Sequence, residues 1–226
     1  MNKIDTQLDG MILRGPAVVP EPVRSQDLRS SYAQHVIDFP ADYDAAHNAG
    51  VANRNPEGVR FWALVAEDYQ TQEAGFFSQG FWALFWHRFG NWRMSVRPKP
   101  LRVPLSLAYK IGAKLTQWLA GVDLPYTVNV GRRVRIEHFG GMILIARAIG
   151  NDVVIRQNTT FGIAQTNRLR EWPVIGDGVD IGAGAAILGR IDVGRDAKIG
   201  ANAVVLKDIP HGAVAVGVPA RIVKTG

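Results

Sequence analysis

From Ile175 to the end of the chain the apolar residues recur every six positions. Ile175, Ile181, Ile187, Val193, Ile199 and Val205 form one set, and Val179, Ala185, Ile191, Ala197, Ala203 and Ile209 follow four places behind it. Neither a helical period nor the simple alternation of a strand gives that lattice. A hexad repeat predicts a parallel β-helix in which six residues make a flat face, three faces make a coil of about eighteen residues, and coils stack at about 4.8 Å. Glycine follows the aliphatic at Gly176, Gly182, Gly194 and Gly200, where the chain turns a tight corner and a Cβ is costly. Earlier hexads run through Leu124, Val130, Ile136 and Met142 and, after one extra residue, through Ile149, Ile155 and Phe161. The break from Gly162 to Pro173 predicts a loop thrown out from a corner, and its sequence GIAQTNRLREWP is the segment expected to touch a substrate.

The rest of the chain follows different rules. Residues 1–56 lack steady periodicity and carry Pro16, Pro20, Pro22, Pro40 and Pro56, which predicts an irregular arm with one short helix near Gln26 to Val36. Residues 57–121 predict a helical module: Gly58 to Gln72, Ser78 to Met94 with Ser78 as N-cap, and Leu105 to Leu119 after Pro104 and ending at Gly121. Residues 122–226 are the β-helix, so the expected fold class is mainly β with an N-terminal α-helical module. Phe81, Trp82, Phe85, Trp86, Phe89 and Trp92 recur at helical spacing, a stripe expected to pack between helices or subunits.

The absence of cysteine excludes disulfides, thiolate metal sites and thiol catalysis, and no metal is expected. The N-terminal MNKIDTQLDGMIL carries acids where an export signal needs an apolar core, so a cytoplasmic protein is expected. The net charge of +6 is uneven: between Trp82 and Val122 there is no Asp or Glu, but Arg88, Arg93, Arg97, Lys99, Arg102, Lys110 and Lys114 give a local +7. Such a segment predicts either an anionic partner, including peripheral contact with the inner face of a membrane, or a solvated helical face. No nucleic-acid partner is expected.

His138 stands in Arg-Ile-Glu-His-Phe-Gly-Gly on an early rung, and Asp123 lies fifteen residues before it, a little less than one coil. A carboxylate beside an imidazole fixes its tautomer and stabilises its protonated form, as a general base requires. Ile136-Glu-His-Phe-Gly-Gly, Ile149-Gly-Asn-Asp-Val, Ile181-Gly-Ala-Gly-Ala, Ile199-Gly-Ala-Asn-Ala-Val-Val and Gly217-Val-Pro-Ala-Arg together resemble the serine acetyltransferase branch of the hexapeptide-repeat acyltransferases, over about residues 122 to 223. The resemblance implies a left-handed β-helix and a homotrimer, or a multiple of three, with active sites between subunits. It implies His138 as catalytic base, Asp123 as its partner, and acetyl-CoA as acyl donor attacked directly by the acceptor alkoxide. Backbone N–H groups would stabilise the oxyanion. It also implies a CoA groove along Ala183 and Ala201, with Lys198 and Arg221 as candidates for the CoA phosphates.

The acceptor motif departs from the family. Where serine acetyltransferases carry Arg-His-Pro, this chain has Glu171-Trp172-Pro173, and Glu137 replaces the usual aspartate. A carboxylate in place of a guanidinium is expected to repel the carboxylate of serine, and Trp172 suits the apolar face of a sugar ring. The leader around Gly80-Phe-Trp-Ala-Leu-Phe-Trp-His-Arg resembles serine-acetyltransferase-like proteins of exopolysaccharide synthesis. The expected activity is therefore O-acetylation of a saccharide hydroxyl, with Glu137, Glu171 and Trp172 at the acceptor. L-serine acetylation and a non-catalytic β-helix scaffold are the alternatives. The chain ends at Gly226, soon after Val223, without the longer tail by which serine acetyltransferases bind cysteine synthase, so no such complex is expected.

Overall fold

The computed structural model describes residues 52–226 apart from 139, 166 and 168–170. Most of the arm, including the short helix expected near Gln26 to Val36, lies outside the described residues. Three α-helices come first: α1 (Phe61–Thr71), α2 (Gln79–Trp92) and α3 (Lys99–Ala120). Ser78 caps α2 as expected, its hydroxyl accepting from the Phe81 N–H at 3.3 Å. Helix α3 departs from expectation by starting at Lys99 rather than Leu105, with Pro104 inside it. The carbonyl that Pro104 leaves without its helical donor is that of Pro100, still in the first turn, where interruption of the ladder is least damaging. Gly121, with φ +66°, ends the helix in the left-handed conformation.

Fifteen short strands follow, β1 (Val122–Asp123), β2 (Asn129–Val130), β3 (Arg135–Ile136), β4 (Met142–Leu144), β5 (Ala148–Ile149), β6 (Val154–Ile155), β7 (Thr160–Gly162), β8 (Val174–Ile175), β9 (Asp180–Ile181), β10 (Ala186–Leu188), β11 (Asp192–Val193), β12 (Lys198–Ile199), β13 (Val204–Val205), β14 (Val214–Val216) and β15 (Arg221–Lys224). They stack into three parallel sheets ordered β1-β4-β7-β10-β13, β2-β5-β8-β11 and β3-β6-β9-β12-β14, with β15 antiparallel on the last. Each sheet takes every third strand, except that β14 follows β12 because Ile209, on the intervening face, meets Val193 only through an isolated bridge; this is a parallel β-helix. Upper coils repeat at eighteen residues, as Asp180 opposite Lys198 shows. The loop lengthens its coil to twenty-six residues, as in Val154 opposite Asp180. In the first coil Val122, not Leu124, lies opposite Met142, although Leu124 is buried too.

Both hexad sets from Ile175 to Ile209 are at most 4% exposed, so they fill the interior of the stack. The corner glycines are dictated by close approach: a Cβ on Gly182 would run into the backbone nitrogen of Ala201 one coil above. The aromatic stripe of α2 packs as expected, with Phe61 of α1 at 6.3, 6.5 and 5.3 Å from Phe85, Phe89 and Trp92.

The opposite, polar face of α2 meets the β-helix. Carbonyls on the lower side of the first coil have no coil beneath them, and side chains supply the donors that a coil would have supplied. Arg88 donates to Val130 O at 2.7 Å and to Gly131 O at 2.6 Å, Asn91 to Tyr126 O at 2.8 Å, and Gln72, just beyond α1, to Val134 O at 2.9 Å. His87 Nε2 lies 2.9 Å from Val128 O. Arg88 also pairs with Asp68 at 2.9 Å, both side chains fully buried, so one of the seven basic residues is neutralised inside the molecule. Burial pushes the Asp68 carboxyl above its ordinary range, against the pull of Arg88.

Candidate active site

Strand register assembles residues that the sequence scattered. The pairings of β3, β6, β9 and β12 align Ile136, Ile155, Ile181 and Ile199. Two residues beyond each, at the corner where the chain leaves this sheet, stand His138, Gln157, Ala183 and Ala201. At about 4.8 Å per coil this column runs about 14 Å from the imidazole position to Ala201. Backbone bonds hold its upper part: Gly184 N–H donates to Gln157 O and Asn202 N–H to Ala183 O, both at 2.8 Å.

His138 is exposed, and its backbone has φ +63°, the left-handed region that a non-glycine residue occupies at a cost of about 1–3 kcal/mol. Other corners in that conformation carry Gly, Asn or Asp, apart from Arg133. Gln157 was not singled out from the sequence, yet its Oε1 is buried with no hydrogen-bond partner among the described residues. The signal for it was available only by adding coil lengths, since nineteen residues separate it from His138 and twenty-six separate it from Ala183.

Asp123 opens the first coil on β1, opposite Ile143 of the coil above, and His138 closes that first coil after β3. Gly121 lies beneath Gly140, where an added Cβ would come 2.6 Å from the Gly140 carbonyl. No hydrogen bond, and no ion pair within 4.0 Å, joins Asp123 to His138 among the described residues. Asp123 instead lines a small cavity of about 120 Å³ with Trp86, Tyr109, Thr116 and Pro125. Desolvation in this region holds the Tyr109 hydroxyl above its ordinary range.

Glu137 is committed to two cations, Arg135 at 2.8 Å and Arg156 at 3.1 Å, and Arg156 also grips Asp180. Glu171 and Trp172 lie half-buried at the end of the long loop, before β8. Lys198 and Arg221 sit on one sheet, on β12 and β15 with β14 between them, and both are exposed. Neither makes an ion pair among the described residues. No cluster of acidic or histidine side chains among the described residues is arranged to hold a metal ion.

The comparisons point one way. A serine acetyltransferase from Mycobacterium tuberculosis is 37% identical over 145 residues, 64% of this chain and 60% of its own length. The Escherichia coli K12 serine acetyltransferase is 39% identical over 146 residues, 64% of this chain and 51% of its own. A serine acetyltransferase solved in complex with CoA superposes with a TM-score of 0.54 at 31% identity, over 88% of this chain and 74% of that one. The chain belongs to the left-handed β-helix acyltransferases, in the serine acetyltransferase branch. No family model matches it. It spans between half and two thirds of the length of these two curated relatives.

Membership in the serine acetyltransferase branch overturns the saccharide acceptor. That expectation rested on Glu171-Trp172, but the two curated relatives, matched over 64% of the chain, and the structure superposed over 88% of it are serine acetyltransferases. Its physical weakness is that a single loop position does not set the charge of a site. Arg135 and Arg156, each about one third exposed, place two guanidinium groups beside Glu137, next to His138.

Proposed function

We propose that this chain is an L-serine O-acetyltransferase using acetyl-CoA. The observation that carries the reading is the corner column, in which an exposed histidine in a strained backbone conformation is followed by Gln157 and then by the small residues Ala183 and Ala201. The relatives' activity and the CoA complex of one of them support the same assignment. Acetyl-CoA supplies an activated acetyl group as a thioester. His138 accepts the proton of the serine hydroxyl as that oxygen attacks, and returns a proton to the departing sulfur. Asp123 orients the imidazole, and Arg135 and Arg156 neutralise Glu137 beside it. Ala183 and Ala201 keep the groove open, with Lys198 and Arg221 at its phosphate end.

Assembly in threes belongs to this reading. Helix α3 carries an outward apolar seam at alternating three- and four-residue spacing, Leu101, Pro104, Ala108, Ile111, Leu115 and Trp118, with Leu101, Ile111 and Trp118 more than half exposed. That spacing suits packing against another helix. Steady-state kinetics test the function. L-serine is expected to be acetylated with a Michaelis constant of about a millimolar or lower, and His138→Ala to lower turnover roughly a hundredfold with CoA affinity little changed. Near-normal turnover in that variant, or no serine acetylation by the parent chain, would reject the assignment.

A further inference from the structure

Arg93, just beyond α2, is only 8% exposed, yet no carboxylate pairs with it among the described residues. Its Nη1 donates to Ser106 Oγ at 3.0 Å and approaches the Met94 sulfur at 3.4 Å, and its guanidinium stacks over Tyr109 and Tyr126 at 4.9 and 4.6 Å. Its Nε is buried with no hydrogen-bond partner among the described residues. The contrast with Arg88 is direct, because Arg88 has Asp68 and two carbonyls. A buried charge is stable only when it is paired or otherwise neutralised, and aromatic faces neutralise it in part.

Arg93 faces a cleft of about 520 Å³, lined also by Lys99, Arg102, Ser106, Lys110 and Tyr126. Four cations and two hydroxyl side chains therefore line the cleft with no acid among them, and all but Tyr126 come from the segment that has no Asp or Glu from Trp82 to Val122. Arg102 spends its Nε on Val96 O at 3.1 Å. The start of α3 contributes its positive end beside Lys99.

We propose that this cleft binds a phosphate-bearing anion. Guanidinium forks and ammonium groups around one opening match tetrahedral oxyanions, and the volume lies in the range of small-ligand sites. Val103 and Leu107, 69% and 59% exposed, give the opening an apolar rim. The same chemistry therefore serves a free phosphate ester or the headgroup of an anionic lipid. The inference is independent of the acetyltransferase reading, because the cleft lies on the helical module and shares none of the corner column.

The test is calorimetric titration of the full chain with inorganic pyrophosphate at constant ionic strength, paired with sedimentation against vesicles of phosphatidylcholine alone or mixed with phosphatidic acid. The comparison variant is Arg102→Gln/Lys110→Gln, whose side chains lie at the cleft and leave the buried Arg93 in place. Saturable pyrophosphate binding weakened at least about tenfold in the variant is expected; sedimentation with phosphatidic acid vesicles, lost in the variant, would identify the lipid source. Pyrophosphate binding without vesicle binding would identify a soluble one. Absence of both, or responses equal in parent and variant, would overturn the proposal, the latter because the anion would then be held at Lys198 and Arg221.

Discussion

Gln157 places in the corner column an amide oxygen that no donor reaches among the described residues. Its Oε1 is shut away from water without a donor, a cost of about 1–3 kcal/mol, and it lies between His138 and Ala183. Gln157→Leu is therefore expected to keep or raise the melting temperature while lowering kcat/KM; a variant that melts lower with unchanged kinetics would show the amide to be structural. At the corners the constraint is steric. Gly182→Ala would drive a Cβ into the Ala201 backbone, and a loss of about 1–3 kcal/mol in urea unfolding is expected. His138 was legible from its motif and the corner glycines from their spacing. Gln157 was not, because burial of an amide oxygen depends on which residues the coils superpose.

Among the elements, the hexads were readable because one apolar residue per face must point inward, whatever the neighbouring coils contain. The helices were readable in number but not in use. His87, Arg88 and Asn91 look like a solvated face, while the aromatic face looks like the core. Both faces are covered: the aromatic stripe packs on α1, and the polar residues are buried because the carbonyls of the first coil need donors that aromatic rings cannot supply. A second tie joins α1 to the coil: Glu67 meets Arg132 at 2.8 Å and Arg133 at 3.6 Å, and Arg133 meets Asp152 at 2.5 Å. Hydrogen bonding from Arg132 holds the Glu67 carboxyl below its ordinary range, and Arg133 does the same for Asp152. A depressed folded pKa gives stability that is present above the unfolded value, about 4, and is lost as pH falls through the folded one. Glu67→Gln should therefore flatten the fall of melting temperature between about pH 6 and about pH 3, by an amount worth less than about 1 kcal/mol because the partners are partly exposed. An unchanged slope would show that the tie carries no linkage.

For the whole molecule, light scattering is expected to give a trimer or a multiple of three, and Ile111→Glu on the α3 seam is expected to weaken it. A monodisperse monomer that still turns over serine would exclude sites shared between subunits. Arg88→Met tests the junction of the two modules. It leaves Asp68 buried without its cation and strips donors from Val130 and Gly131, so a loss of about 3–5 kcal/mol is expected in unfolding experiments. The donor row under the first coil has a further consequence, for growth rather than stability. A stack of parallel coils is in principle endless, since each rim is a template for the next and a second chain can serve as that next coil. Side chains of α2 occupy one rim and the reversed strand β15 borders part of the other. The helical module thus sets the length of the particle, and a chain deprived of it would be expected to polymerise rim to rim into filaments.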